Sequence, residues 1–79
     1  MWTVYIIRSK SHPDQLYIGL TDNVGERLNK HNSGGLPHTS RYRPWVLETA
    51  ITFNAKAKAV EFERYLKSGS GFSFAKRHF

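Results

Sequence analysis

The first twenty residues contain two short strand patterns joined by a polar turn, and this feature constrains the fold most. Residues 3–7 and 16–20 are rich in β-branched and aromatic side chains. The polar residues between them include Pro13-Asp14, a pair typical of turns. The pattern therefore predicts an antiparallel hairpin with a longish loop.

Each strand of this hairpin carries one tyrosine, Tyr5 and Tyr17. Alternate residues of a strand point to the same face, so Tyr17 and Gly19 share the face opposite Leu16, Ile18 and Leu20. If Tyr5 pairs with Gly19, both phenols lie on one face. The missing side chain at residue 19 then leaves room beside the Tyr5 ring. The alternative is that each ring simply packs in the core.

A helix and a basic loop follow the hairpin. Asp22 is the expected N-cap of a helix that reaches about Asn32 and ends at residues 33–35, Ser-Gly-Gly. Residues 36–44 then read as a loop rich in polar and basic groups.

A third strand is predicted at residues 45–53, with Val46, Leu47 and Ile51 as its apolar members. Asn54 is the expected cap of a second helix from residue 55 to about 68, and Gly69 suits its C-terminal stop. Residues 70–79 are compatible with a further short helix.

Together these elements predict one domain over residues 1–79, an α/β arrangement of the α+β type. Its small three-stranded antiparallel sheet is flanked by helices in the order β-β-α-β-α. A chain this short buries roughly 60% of its unfolded surface. It has no cysteine, which excludes disulfides, thiolate zinc sites and a cysteine nucleophile. With no signal-peptide pattern and no apolar run long enough to span a membrane, we expect a cytoplasmic protein without a membrane partner.

The charge is unevenly distributed. The chain carries 12 Lys and Arg against 6 Asp and Glu, a formal charge of +6. No acidic residue occurs between Arg27 and Leu47, or after Glu63. Unbalanced basic stretches favour a polyanionic partner such as a nucleic acid.

The first helix places two polar side chains towards its apolar stripe. Because a helix advances ~100° per residue, His31 projects between Val24 and Leu28, with Arg27 on the near flank. Burying these two polar side chains against the sheet costs free energy of desolvation unless they line a cleft or form hydrogen bonds or ion pairs. The alternative is a structural histidine beside an arginine whose aliphatic stem alone is buried.

The second helix separates its two glutamates in the same way. Its apolar stripe consists of Ala55, Ala59, Phe62 and Leu66. Glu63 lies beside this stripe, whereas Glu61 points away from it to solvent. Glu63 can therefore reach a cleft, and the alternative is that it forms a surface salt bridge.

The order of these features resembles the GIY-YIG nuclease superfamily, in particular its small stand-alone bacterial members, the UPF0213-like group. The resemblance runs from Val4 to about Lys67. Five features carry it in order: Thr3-Val4-Tyr5, Tyr17-Ile18-Gly19, Arg27-x-x-x-His31 continuing as His-x-Ser-Gly, Ser40 to Trp45 as Ser-Arg-Tyr-Arg-Pro-Trp, and Ala59-x-x-x-Glu63-x-x-Leu66-Lys67.

The resemblance implies a metal-dependent endonuclease that cleaves phosphodiester bonds, with DNA the expected substrate and DNA repair or recombination the expected setting. It implies a catalytic set of Tyr5, Tyr17, Arg27, His31 and Glu63. A single Mg²⁺ or Mn²⁺ would be held by Glu63 with waters and a substrate oxygen. We expect Tyr5 to activate water with its pKa lowered by nearby cations, His31 to accept its proton, and Tyr17 to position the phosphate, although the two tyrosine roles could be exchanged.

The basic stretches supply the candidate nucleic-acid contacts, Lys30, His38, Arg41, Arg43 and Lys67. Specificity would come from nucleic-acid structure, a homodimer or a partner protein. Two alternatives stay open. One is a catalytically silent nucleic-acid-binding module, in which Tyr42, Trp45 or Phe72 stacks on bases. The other is a structural or protein-interaction domain.

Overall fold

The computed structural model describes residues 1–79 and contains one three-stranded antiparallel sheet in the order β2-β1-β3. Strand β1 is Trp2–Ser9, β2 is Leu16–Thr21 and β3 is Trp45–Phe53. Because β1 has a neighbour on each side, its residues 3–7 are all buried. The predicted sheet is confirmed, and so are the bounds of its third strand.

The hairpin register is the one that aligns the tyrosines. Tyr5 pairs with Gly19 and Ile7 with Tyr17, which puts both phenol rings on the same face. A Cβ at residue 19 would overlap the Tyr5 hydroxyl and ring carbons. The Tyr5 side chain thus occupies the space left open by the glycine, as predicted.

Four helices complete the chain: α1 Val24–Ser33, α2 Pro37–Ser40, α3 Lys56–Lys67 and α4 Gly69–His78. The C-terminal helix is confirmed. The sequence predicts a loop over residues 36–44, and the short α2 departs from that prediction. Pro37 stands at the first position of α2, where its fixed φ suits a helix and its missing N–H is not needed.

The predicted helix caps are wrong by about one residue. Asn23, not Asp22, caps α1, because the Thr21 hydroxyl bonds the backbone of Asn23 and moves the start one residue on. Ala55, not Asn54, precedes α3 and supplies no side-chain cap.

The stop of α3 is also displaced. Ser68, not Gly69, separates the last two helices: its extended backbone ends α3, and its side chain accepts from the Gly71 N–H to begin α4.

Each face of the sheet has its own core. Helices α3 and α4 pack on one face, where the buried side chains are Val4, Ile6, Ile18, Ala59, Leu66 and Ala75. On the other face Tyr5, Ile7 and Trp45 are buried, with Tyr17, Leu28 and Tyr42 packed against them.

Of β3, only Trp45 is buried, because it is an edge strand. Val46 and Leu47, predicted as apolar members of this strand, are exposed. None of the helices has the length and apolar character that crossing a membrane requires.

Candidate active site

Three buried side chains form a hydrogen-bonded line on the tyrosine face of the sheet. The Tyr5 hydroxyl lies 2.9 Å from His31 Nε2, and His31 Nδ1 lies 2.8 Å from Thr39 Oγ1. Tyr5 is 3% exposed, and the other two are each 1% exposed. The line therefore joins β1, α1 and α2 in the interior.

The neighbouring elements hold this line in place through a second set of contacts. Asn32, next to His31, bonds the Trp45 backbone twice, donating to its carbonyl at 3.0 Å and accepting from its N–H at 2.6 Å. The Trp45 indole N–H donates to the Thr39 carbonyl at 2.9 Å. Asn32 of α1 is therefore bonded to the first residue of β3, and that residue is bonded to α2. The hydrogen bond between Thr39 and His31 connects α2 back to α1.

Tyr17 completes an aromatic cluster with this line. Its ring centroid lies 4.9 Å from that of His31 and 6.3 Å from that of Tyr5. Tyr17 is half-buried, so it presents part of its ring at the surface above the two buried groups. The two phenols and the imidazole are brought together here.

Arg27 and Glu63 lie near enough to this cluster to affect its ionisation. Arg27 lowers the pKa of both Tyr5 and His31, and Glu63 raises that of Tyr5. Arg27 is half-buried and its guanidinium makes no hydrogen bond or ion pair. It remains available for an anion.

The two glutamates of α3 differ as the helical pattern predicts. The Glu63 side chain is 19% exposed, whereas Glu61 is exposed. Glu63 also forms an ion pair with Lys67 at 3.3 Å, one turn further along α3, so the salt bridge considered as its alternative role is present. The Lys67 ammonium lies 5.8 Å from the Tyr17 ring centroid, which brings this pair to the edge of the cluster.

Burial decides the ionisation of both groups in the central hydrogen bond. It raises the pKa of the Tyr5 phenol far above its ordinary value, Tyr17 and Glu63 act in the same direction, and the opposing effect of Arg27 is outweighed. Arg27 thus acts on the Tyr5 pKa in the expected direction, but burial has the larger effect. Burial, followed by Arg27, lowers the pKa of His31. At neutral pH both groups are uncharged and share one hydrogen bond.

The predicted nucleic-acid contacts are all exposed and occupy two places: Lys30, His38, Arg41 and Arg43 on or beside α1 and α2, and Lys67 on α3. The Arg43 guanidinium packs beside Gly34, which ends α1 with φ 83°. Trp45, considered as a stacking residue, is only 3% exposed and is part of the core instead.

The side chains present suit a cation that retains most of its water. No group of three His, Cys, Asp or Glu residues is clustered, so the chain contains no all-protein metal cage. Mg²⁺ commonly uses one or two carboxylates together with waters and substrate phosphates. Glu63 alone fits that mode, provided that Lys67 releases it.

A groove of about 430 Å³ lies between α3 and α4, and it shares no residue with the cluster. The five predicted residues therefore do not line this groove.

Two residues of this arrangement were missed from the sequence, Thr39 and Asn32. Each stands in a polar, basic stretch where a hydroxyl or amide ordinarily indicates a turn or a helix end. The one available signal was Pro37, which favours a helix start two residues before Thr39.

Comparisons with known proteins agree with the motifs. The family described as the GIY-YIG catalytic domain matches residues 1–76. The chain is 37% identical over 67 residues to a UPF0213 protein of Vibrio campbellii, covering 84% of this chain and 62% of that protein. It is 39% identical over 69 residues to the structure-specific endonuclease subunit SLX1 of Podospora anserina, covering 80% of this chain and 20% of that protein. It is 37% identical over 62 residues to a structure-specific endonuclease subunit SLX1 homolog of Giardia intestinalis, covering 73% of this chain and 17% of that protein. The chain spans less than two thirds of each of these relatives.

Proposed function

The chain belongs to the GIY-YIG nuclease superfamily, within its UPF0213-like group, and from that premise we propose that it is a metal-dependent endonuclease that hydrolyses phosphodiester bonds in DNA. The observation that carries this proposal is the buried Tyr5–His31 hydrogen bond beside the half-buried Tyr17. A domain that only bound nucleic acid would gain little from burying two titratable groups.

The Tyr5–His31 pair suits a coupled proton transfer. As water attacks phosphorus, the Tyr5 oxygen takes the proton of the water and the Tyr5 proton passes to His31 Nε2. Because the pKa of Tyr5 is raised, a free phenolate is not populated at neutral pH, and the two transfers must occur together. The hydrogen bond to His31 favours Tyr5 over Tyr17 for this role.

The remaining side chains bind and orient the phosphate. Tyr17, exposed in part, can donate its hydroxyl hydrogen to a non-bridging oxygen. Arg27, which has no protein partner for its guanidinium, can bind the same phosphate and stabilise the charge that develops on it.

Glu63 is the side chain proposed to hold Mg²⁺ or Mn²⁺, with waters and a substrate oxygen completing the set. When bound, such an ion stabilises negative charge on the phosphate and on the leaving oxygen. Lys67, which neutralises Glu63 in the protein alone, would turn to the DNA backbone. Divalent binding and DNA binding would then assist each other.

Structured DNA is the proposed substrate class. The exposed basic residues of α1, α2 and α3 can bind phosphates without reading bases. Two of the relatives named above are called structure-specific endonuclease subunits. We therefore propose branched or damaged duplexes as the first substrates to test. The proposed setting is DNA repair or recombination in the cytoplasm, with a second copy or a partner protein adding specificity.

A second candidate function is DNA binding without cleavage. The specific observation that favours it is the Glu63–Lys67 ion pair together with the lack of any other clustered metal-ligating side chain. If a divalent ion cannot displace Lys67, the domain would bind DNA through its basic residues alone.

One experiment separates the two candidates. The protein is incubated with single-stranded, duplex, flap and four-way-junction DNA in the presence of Mg²⁺, Mn²⁺ or excess chelator, and both cleavage and binding are measured. The endonuclease proposal predicts cleavage of at least one structured DNA with a divalent ion and none with chelator. Binding without cleavage under every condition would support the silent module instead.

A further inference from the structure

Thr39 lies on the far side of His31 from Tyr5. Its hydroxyl oxygen is 2.8 Å from His31 Nδ1 and 3.4 Å from the Leu36 carbonyl oxygen. The residue is 1% exposed, so water does not compete for these contacts. The direction in which the Thr39 hydroxyl hydrogen points therefore affects which ring nitrogen of His31 carries a hydrogen.

Only one arrangement of the hydrogens on Tyr5, His31 and Thr39 gives each of them an acceptor. A threonine hydroxyl has a single hydrogen to donate. If Thr39 donates it to the Leu36 carbonyl, Thr39 accepts from His31 Nδ1–H, and the bare Nε2 accepts from the Tyr5 hydroxyl. Each hydrogen then has an acceptor.

The reverse arrangement leaves one hydrogen without a partner. If Thr39 donated to His31 Nδ1, the hydrogen on Nε2 would point at the Tyr5 oxygen. The Tyr5 hydrogen would then have no acceptor in the protein, because its only hydrogen bond is the one to His31. Tyr5 is 3% exposed, and an unsatisfied buried donor is costly.

We propose that Thr39 is a positioning residue that holds His31 in the tautomer with its hydrogen on Nδ1, so that the Nε2 lone pair faces Tyr5. The tautomer assignment is independent of the proposed function, and only its catalytic consequence rests on that function.

The backbone around Thr39 keeps its hydroxyl in this place. Its N–H donates to the Leu36 carbonyl at 3.2 Å, and its own carbonyl accepts from the Trp45 indole at 2.9 Å. Trp45 is in turn bonded to Asn32 beside His31. The four-residue helix α2 thus presents one hydroxyl to one imidazole nitrogen.

The consequence for the reaction is a defined direction of proton movement. When Tyr5 takes a proton from the attacking water, its own O–H bond breaks and an N–H bond forms at His31 Nε2. The resulting imidazolium still donates through Nδ1–H to Thr39. In the other tautomer Nε2 already carries a hydrogen and cannot accept one.

Histidine nitrogen chemical shifts test the tautomer directly. Protein labelled with ¹⁵N at histidine is measured at about pH 8, where an ordinary histidine is neutral. His31 should show a protonated Nδ1 and a bare Nε2. Thr39→Ser keeps the hydroxyl and should keep this pattern, whereas Thr39→Val, similar in shape, should shift His31 towards Nε2–H. A parent with Nε2–H, or a Val variant with the parent pattern, would overturn the proposal. If the Val variant does not fold, Thr39→Ala replaces it.

Kinetics then test the consequence separately. On the DNA that the parent cleaves, Thr39→Val should lower kcat on the order of tenfold or more while KM changes little, and Thr39→Ser should restore most of it. Equal kcat in the Val variant and the parent would contradict the catalytic role. If the parent cleaves nothing, the proposed function fails, and the nitrogen shifts still decide the role of Thr39.

Discussion

Tyr5 and His31 show how burial changes what two titratable side chains can do. In water a phenol and an imidazole differ enough in pKa for each to titrate alone. Here burial raises the pKa of Tyr5 and lowers that of His31, so both stay neutral across a wide pH range. The pair is suited to passing a proton during reaction, not to holding a charge beforehand.

The raised pKa of Tyr5 predicts that it does not ionise with a free tyrosine. Tyrosinate absorbance is recorded at a pH slightly above 10, where a free phenol is mostly ionised. Tyr5→Phe should leave this signal unchanged in the folded protein, because Tyr5 is still protonated there. In guanidinium, where the protein is unfolded, Tyr5→Phe should remove the share of the tyrosinate absorbance that one tyrosine contributes. Equal loss in both states would show that Tyr5 ionises normally in the fold.

The hairpin is the element whose geometry depends most on one small residue. Gly19 faces Tyr5 across the β1–β2 ladder, and a side chain there would occupy the space of the phenol. The hairpin could be predicted because the alternation of apolar and polar residues is local information. The pairing of Tyr5 with Gly19 was a condition of the sequence argument, and the structure shows that pairing.

Gly19→Ala should therefore destabilise the protein, by about 1–3 kcal/mol in the free energy of unfolding, because the added methyl forces Tyr5 or the strand to move. Urea unfolding followed by fluorescence or circular dichroism gives the value. Gly69→Ala is the matched control, since a Cβ at residue 69 has no atom within 4 Å. The same loss in both variants would mean that glycine is not needed opposite Tyr5.

Helix α2 shows why other elements could not be predicted. A four-residue helix has no periodic pattern to detect, and its stability depends on contacts from distant elements. Thr39 bonds His31 eight residues earlier and accepts from Trp45 six residues later. The caps of α1 and α3 were misassigned for a related reason, because the exact helix start depends on how the preceding turn is bonded.

Across the whole molecule, the excess of basic side chains is the property that would govern DNA binding under the proposed function. The formal charge is +6, and the exposed basic residues predicted to contact nucleic acid lie on or beside α1 and α2 and on α3. No acidic residue is present in the stretch that contains α2 or after Glu63. Affinity should therefore come from phosphate contacts and should depend little on base sequence.

Binding should weaken steeply with salt. If about five phosphates are contacted, affinity should fall on the order of a few hundredfold between about 50 and 200 mM salt. Arg41→Gln should reduce the slope of log affinity against log salt by about one. Arg8→Gln is the control, since Arg8 is not among the predicted contacts and its guanidinium is already paired with Glu48 at 2.9 Å. An unchanged slope in Arg41→Gln, or salt-insensitive binding, would contradict phosphate-based binding.

The candidate site was accessible to prediction as far as it depends on repeating patterns. Strand alternation brought Tyr5 and Tyr17 together, and helical periodicity separated Glu63 from Glu61. The salt bridge of Glu63 was considered as an alternative, and it is present with Lys67. What could not be predicted was the burial that raises the pKa of Tyr5 against the effect of Arg27, because burial depends on how distant elements pack.

The most direct test of the central claim compares Glu63→Gln with Glu61→Gln. Glutamine keeps the size of the side chain and much of its hydrogen bonding but removes the charge that a divalent ion requires. If Glu63 holds the ion, Glu63→Gln should abolish Mg²⁺-dependent cleavage of structured DNA while DNA affinity stays equal or rises slightly. Glu61→Gln, with the same change on the exposed side of α3, should cleave normally. Cleavage retained in Glu63→Gln, or lost equally in both variants, would contradict a catalytic metal at Glu63.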